Sequence, residues 1–393
     1  MTSVLVVDDS QFMRTVIGNV LAEHGYDVHR ASDGRRAVEA VRKHDPDVVT
    51  MDVQMPEMDG IEAVSEIMAT NPTRIIMLSA HTREGAEETL EALSRGAVDF
   101  LAKPSGEVST DIAGLKDRLV ETVDAVADAD VSSLAPSRAA AAAHRASASE
   151  ARAADRRPGA ATADTRSAGE ATTAPSDPSA PDAPDAGSDP ADREFSEHPT
   201  IVVGASTGGP KIVEGILYDL PIELDARVLV VQHMPAEFTD RLAARLDALC
   251  EYDVREASDG DRITGGEVLI APGDRHMEIA HASDRGLRVR LTDDERVHGV
   301  RPAIDVTMES AAELVDPPLV GVALTGMGKD GAAGISAIKA AGGTTIAQNS
   351  ETSPVFGIPR QAIATGAVDH VLPADEIAAG IGDALSTEVE THG

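Results

Sequence analysis

Short, fully apolar segments alternate with amphipathic helical patterns from the first residues onward. Each apolar segment runs directly into polar or glycine-rich residues. Val4–Val7 leads into Asp8-Asp9-Ser10 and a helical pattern to about Ala22. A strand near Asp27–Arg30 precedes a helix near Arg35–Lys43, and Val48–Asp52 precedes a helix from Gly60. Arg74–Leu78 precedes a helix near Gly85–Arg95, and Ala97–Leu101 precedes a last helix to about Val126. Five such strand–helix units predict a doubly wound, five-stranded parallel α/β sheet. In that architecture the carboxyl ends of the strands share one edge. Asp8, Asp9, Asp52, Ser79 and Lys103 all fall at or just past those ends.

The chemistry of that group is specific. Three carboxylates at one spot repel one another unless a hard cation sits among them, and oxygen ligands with a few waters suit Mg²⁺. A carboxylate beside such a cation can attack a phosphoryl group and become an aspartyl phosphate. Lys103 and Ser79 would then neutralise and hydrogen-bond the new oxygens. Any one of these Asp residues alone would serve equally to solvate a strand end, but five groups at one edge favour phosphoryl chemistry.

Asp8-Asp9-Ser10, Met51-Asp52-Val53-Gln54-Met55-Pro56 with Asp59-Gly60, Leu78-Ser79-Ala80 and Lys103-Pro104 resemble the response-regulator receiver family over residues 1–126. The resemblance implies that Asp52 is the phosphoacceptor and that a histidine kinase is the donor. It implies that Asp8, Asp9 and Asp52 bind Mg²⁺, with the backbone carbonyl of Gln54 as a further ligand. Ser79 and Phe100 fall where the family has its hydroxyl and aromatic switch residues, with Lys103 beside them.

Composition then changes. Residues 127–198 are dominated by Ala, Pro, Asp, Ser, Arg and Thr, and runs such as Pro181-Asp182-Ala183-Pro184 cannot build a core. Ala139–Ala143 is compatible with a short helical extension, and the rest reads as a disordered linker. About 65 flexible residues span roughly 40–48 Å root-mean-square, enough for one half to dock on the other or leave it.

A second α/β region, expected over 199–388, opens on Ile201-Val202-Val203-Gly204-Ala205-Ser206-Thr207-Gly208-Gly209-Pro210. The order reads as buried strand, tight turn and helix N-terminus, with a helix at about Lys211–Tyr218. Ser206 would lie at the strand's carboxyl end, near backbone N–H groups suited to negative charge. A strand at Arg227–Gln232 ends at His233, and a helix covers about Glu237–Leu249. Short β-rich segments follow near Val268–Pro272, Met277–Ala280 and Gly286–Leu291, then a helix at Ile304–Leu314. Leu319–Leu324 opens into Thr325-Gly326-Met327-Gly328-Lys329-Asp330-Gly331, and Thr344–Gln348 is a further strand. A mostly parallel sheet is expected.

If those strand ends share an edge, Ser206, His233 and Asp330 can meet as nucleophile, base and orienting carboxylate. Each also has a plainer reading. His233 could be an ordinary hydrogen-bonded residue and Asp330 a helix cap. His276, His281 and His298 compete for the base role, and His276 and His281, five apart in a β-like stretch, make a weak zinc pair. Gly204, Ser206 and Gly208 satisfy G-x-S-x-G. The chain order serine, histidine, aspartate nevertheless differs from the α/β-hydrolase order, so that fold is not inferred.

Gly204–Pro210, Gln232-His233-Met234-Pro235, Ala271-Pro272-Gly273-Asp274-Arg275-His276-Met277, Arg301-Pro302-Ala303-Ile304-Asp305, Leu324–Gly331 and Gln348-Asn349-Ser350-Glu351-Thr352-Ser353 resemble the catalytic domain of the CheB family of chemotaxis protein-glutamate methylesterases/glutaminases. The resemblance spans about residues 199–385, and a receiver in front matches the family's domain order. It implies a catalytic triad of Ser206, His233 and Asp330, with Thr207 and Met327 in supporting positions. It implies a carboxylic ester hydrolase that removes γ-glutamyl methyl esters from methyl-accepting chemotaxis receptors and could deamidate receptor glutamines. No cofactor is implied for ester hydrolysis. If the unphosphorylated receiver covers the Ser206 cleft, removing residues 1–126 should raise basal activity. The sequence departs from the family in Ile358, where Met is frequent, and in its long linker.

Charge and composition narrow the alternatives. Basic side chains number 34 against 67 acidic ones, a net charge of −33. That balance repels phosphate backbones, so no nucleic-acid partner is expected, and it suits a host rich in salt. Aromatics at 2 % offer no stacking platform for single strands. The single cysteine, Cys250, excludes an internal disulfide and fits a reducing compartment. No apolar run approaches the ~20 residues of a membrane span. With the first strand close to Met1 leaving no room for a signal peptide, a cytoplasmic setting is expected. Two other classes remain: a receiver-controlled module that binds nucleotide or phosphate, and a non-catalytic receptor adaptor.

Overall fold

The computed structural model describes residues 1–79, 82–103, 109–127, 198–283 and 285–390, so the expected linker lies almost wholly outside it. In the N-terminal half, β1 (Ser3–Val7), β2 (Asp27–Ala31), β3 (Val48–Asp52), β4 (Arg74–Ser79) and β5 (Asp99–Ala102) form one parallel sheet in the order β2-β1-β3-β4-β5. The helices α1 (Gln11–Glu23), α2 (Gly34–His44), α3 (Gly60–Thr70), α4 (Arg83–Ser94) and α5 (Ser109–Ala127) connect or follow the strands. Helices on both faces explain why β3 is buried along its whole length. Four helices begin where a polar side chain takes an otherwise free first-turn N–H: Ser10, Asp33, Asp59 and Thr82 accept from Met13, Arg36, Glu62 and Gly85.

The C-terminal half is built on seven parallel strands. They are β6 (Thr200–Ala205), β7 (Arg227–Gln232), β8 (Asp253–Glu256), β10 (Glu267–Ile270), β13 (Leu319–Ala323), β14 (Thr344–Gln348) and β15 (His370–Leu372). Their order is β15-β14-β13-β6-β7-β10-β8, and β9 (Arg262–Ile263), β11 (His276–Ser283) and β12 (Gly286–Thr292) make a separate antiparallel sheet. The α/β class and parallel sheets agree with the sequence reading. The direction of strand addition reverses around β6, flanked by β13 and β7, and such switch points are where open α/β sheets bind ligands. The helices are α6 (Gly209–Asp219), α7 (Ala236–Leu249), α8 (Ile304–Leu314), α9 (Ala332–Ala340), α10 (Ile358–Ala364) and α11 (Ile377–Glu390).

The two halves share apolar core. One continuous cluster includes Leu90, Leu93 and Phe100 together with Phe238 and Leu242. Phe100 of β5 stacks on Phe238 of α7, with ring centroids 4.3 Å apart and an interplanar angle of 27°. One residue earlier, the Asp99 carboxyl lies beside the Thr207 side chain. Among the described residues no helix is long and apolar enough to cross a membrane.

Candidate functional site

The register of three neighbouring strands assembles the first site. Ala205 of β6 pairs with Gln232 of β7, so Ser206 and His233 leave adjacent strands at the same level, and His233 N–H donates to the Ala205 carbonyl at 3.0 Å. On the other side Ala323 of β13 pairs with Gly204, and Ser206 N–H donates to the Thr325 carbonyl at 3.0 Å. The turn at Ser206 is tight. Gln232 Nε2 donates to the Ser206 carbonyl at 2.8 Å, and Gly208 supplies a left-handed φ of +77° before α6. Gly326 lies so close that a Cβ there would stand 2.6 Å from the Ser206 Cβ.

Asp330 arrives from the loop after β13, buried at 2 % exposure. Its Oδ2 is 2.8 Å from His233 Nε2 and accepts from Ile304 N–H at 2.7 Å, while Oδ1 accepts from Asp305 N–H at 3.0 Å. Burial alone would raise this carboxyl. The His233 bond and charge and the two N–H donors outweigh it and hold Asp330 below the ordinary Asp value. With Nε2 engaged by Asp330, Nδ1 is the ring nitrogen left for a proton from the serine. The Ser206 hydroxyl makes no hydrogen bond among the described residues, and the N–H groups of Thr207 and Met327 likewise have no acceptor there.

The competing histidines are accounted for. His276 is buried, with Nε2 at 3.1 Å from the Glu295 carbonyl and Nδ1 accepting from Ala303 N–H. His281 is exposed on the antiparallel sheet, and His298 pairs with Asp305. Asp330 does cap a helix, but it is α8 rather than the helix that follows it in sequence. Gln232 and Asp305 hold the site together, although the sequence shows them only as polar residues within the motifs that carry the resemblance, with no role of their own.

The second site lies at the edge of the N-terminal sheet. Asp8, Asp9 and Asp52 each offer a carboxylate oxygen, all within 4.8 Å of one another. Lys103 Nζ is 2.8 Å from Asp8 Oδ2 and 2.7 Å from Asp52 Oδ2. Burial raises Asp52, reinforced by the Asp8 and Asp9 charges and only partly opposed by Lys103. Burial would lower Lys103, but Asp52 and Asp8 raise it instead. Hard oxygen donors carrying surplus negative charge fit a small divalent cation such as Mg²⁺. Ser79 Oγ donates to the Gly85 carbonyl at 3.0 Å, and Gln54 Nε2 donates to the Glu88 carboxylate. Phe100 faces away from this cluster, onto Phe238.

Comparison with known proteins covers both halves of the chain. Residues 201–381 match the CheB methylesterase family, and residues 4–110 match the response regulator receiver domain. The protein is 51 % identical to a protein-glutamate methylesterase/protein-glutamine glutaminase of Haloarcula marismortui, over 98 % of each chain. It is 50 % identical to the protein of the same name in Halobacterium salinarum, covering 98 % of this chain and 99 % of that one. It also resembles the crystal structure of the Thermotoga maritima CheB methylesterase catalytic domain at 43 % identity, covering 47 % of this chain and 97 % of that one with a TM-score of 0.45. Nearly full-length identity to both haloarchaeal proteins places the chain in the CheB family of protein-glutamate methylesterases/protein-glutamine glutaminases, with a receiver domain in front of the catalytic domain.

Proposed function

We propose that this protein hydrolyses γ-glutamyl methyl esters on the cytoplasmic part of methyl-accepting chemotaxis receptors, under control of phosphorylation at Asp52. The observation that carries this reading is the His233–Asp330 pair standing level with Ser206 at the ends of adjacent strands. Ser206 Oγ attacks the ester carbonyl carbon while His233 Nδ1 takes its proton. Asp330 orients the ring and stabilises the imidazolium. The N–H groups of Thr207 and Met327 receive the oxyanion. The C–O bond to methanol breaks as His233 returns the proton, and water then cleaves the acyl-serine by the same route. The same steps on a glutamine side chain release ammonia. Ester hydrolysis needs no cofactor in this scheme.

In the receiver, the Asp52 carboxylate attacks the phosphorus of a histidine kinase's phosphohistidine, and the P–N bond breaks. Asp8, Asp9 and Asp52, with the Gln54 carbonyl, would hold Mg²⁺, which when bound offsets charge on the transferred group. Lys103 exchanges its present carboxylate partners for phosphoryl oxygens, and Ser79 hydrogen-bonds one of them. The Phe100–Phe238 stack and the approach of Asp99 to Thr207 join the receiver to the residue after Ser206, which supports a covered site that phosphorylation opens. The division is 1–126 receiver, 127–198 linker and 199–388 catalytic domain, acting in the cytoplasm, with neither nucleic acid nor membrane insertion involved.

Methanol release from methyl-esterified receptor tests this. Ser206→Ala should lower the rate by about four orders of magnitude or more. Release that persists in Ser206→Ala would remove Ser206 as nucleophile. No release from wild type at any salt would favour a binding module or adaptor.

A further inference from the structure

A second buried carboxylate lies against Asp330, and its role builds on the assignment of Ser206, His233 and Asp330 as the reacting set. Helix α8 starts after Ala303 and helix α9 after Gly331, and neither residue offers a side chain to the free N–H groups of the first turn. Each helix is capped by a carboxylate from the start of the other. Asp330, just before α9, accepts from Ile304 and Asp305 N–H of α8 at 2.7 and 3.0 Å. Asp305, in the first turn of α8, accepts at Oδ1 from Gly334 N–H of α9 at 2.8 Å. Two helix N-termini are thereby tied together through carboxylates that are only 3 % and 2 % exposed. The remaining Asp305 oxygen, Oδ2, is held by His298 Nε2 at 2.9 Å.

His298 occupies a position that its backbone does not favour. Val300 N–H donates to the Val297 carbonyl at 3.0 Å, and the two residues between, His298 and Gly299, have φ of +53° and +81°. That is the type I′ pattern, whose first central position suits Gly, Asn or Asp. An imidazole there serves the turn poorly and Asp305 well. The ligand atoms of His298, Asp305 and Asp330 lie within 4.8 Å of one another, but N–H groups already occupy every oxygen of both carboxylates. The group is a closed hydrogen-bond relay ending at His233.

We propose that Asp305, held by His298, is a positioning residue for ester hydrolysis: it fixes α8 so that the Ile304 and Asp305 N–H groups keep the Asp330 carboxylate where it orients His233. A small rotation of the α8 N-terminus would move both donors of Asp330 at once. Catalytic geometry is lost over such displacements long before folding is.

Two substitutions in the full-length protein separate positioning from scaffolding. Asp305→Asn keeps the acceptor for Gly334 but changes the group facing His298. His298→Asn keeps, and by its intrinsic preference favours, the left-handed turn, but is too short to make the imidazole bond. Both should lower kcat about tenfold or more, with KM within about twofold and the thermal midpoint unchanged or, for His298→Asn, raised. The low-field proton resonance of the His233–Asp330 bond should shift in the resting proteins, a readout that does not depend on ester turnover. Wild-type kcat and an unmoved resonance in His298→Asn would overturn the proposal, and that variant decides the matter even if Asp305→Asn fails to fold. Hydrolysis surviving in Ser206→Ala would be a separate failure, of the nucleophile assignment alone.

Discussion

At Asp330 two opposing effects meet. Burial disfavours the charged carboxylate, while His233 and two helix N–H groups favour it more, so it stays ionised and ready to support an imidazolium. A carboxyl lowered in this way adds stability above the ordinary Asp value, and the contribution is lost as pH falls through the depressed value. Gly326 sets a limit of another kind. A methyl group there would have to share space with the Ser206 Cβ at 2.6 Å, and the other near atoms are the Ile358 Cδ1 and the Ser206 backbone. Gly326→Ala should therefore displace Ser206 and cost about a hundredfold or more in kcat/KM, measured as methanol release. A loss under about threefold would mean that the turn can yield. Ser206, His233 and Asp330 were legible in the sequence because each follows a strand end, where α/β chemistry collects. Gln232 and Asp305 gave no such signal, since their importance comes from partners 26 and 29 positions away. Nor does sequence say which imidazole nitrogen Asp330 takes.

At the scale of elements, α4 and β5 are where the N-terminal half packs on α7, through Leu90, Leu93 and Phe100. Asp99 is pushed up to about 6 by burial, against the Thr207 side chain, the Phe100 N–H and the charge of Arg118. In the closed contact it binds its proton more tightly than it would when free. Its contribution to closure is therefore full below the ordinary Asp value and is lost as pH rises through about 6. Asp99→Asn stays neutral throughout. The ratio of wild-type to Asp99→Asn basal methanol release should climb between about pH 4 and about pH 6 and then level off. A flat ratio would show that Asp99 does not bear on closure. The long apolar strands were legible from composition alone, because strands covered on both faces read as unbroken β-branched runs. Asp253–Glu256, Arg262–Ile263 and His370–Leu372 were not, because edge or peripheral position leaves them short and polar. The strand expected at Ala97–Leu101 begins instead at Asp99, since Ala97 N–H closes the end of α4 on the Ala92 carbonyl.

For the whole molecule, the acidic balance of 67 to 34 is repeated in the receiver cluster, where Lys103 meets three carboxylates. The sequence carried the division into two α/β halves, since two separate series of strands each end in their own polar cluster. It carried no sign that Phe100 stacks on Phe238, because an aromatic–aromatic contact between residues 138 apart leaves no local pattern. In the proposed scheme that contact is the route by which phosphorylation of Asp52 is felt at Ser206. The direct test is the rate of methanol release from methylated receptor with and without acetyl phosphate, in wild type and in Asp52→Asn. The donor should accelerate wild type and leave Asp52→Asn at its basal rate. Equal acceleration of both proteins, or none in wild type, would contradict that scheme.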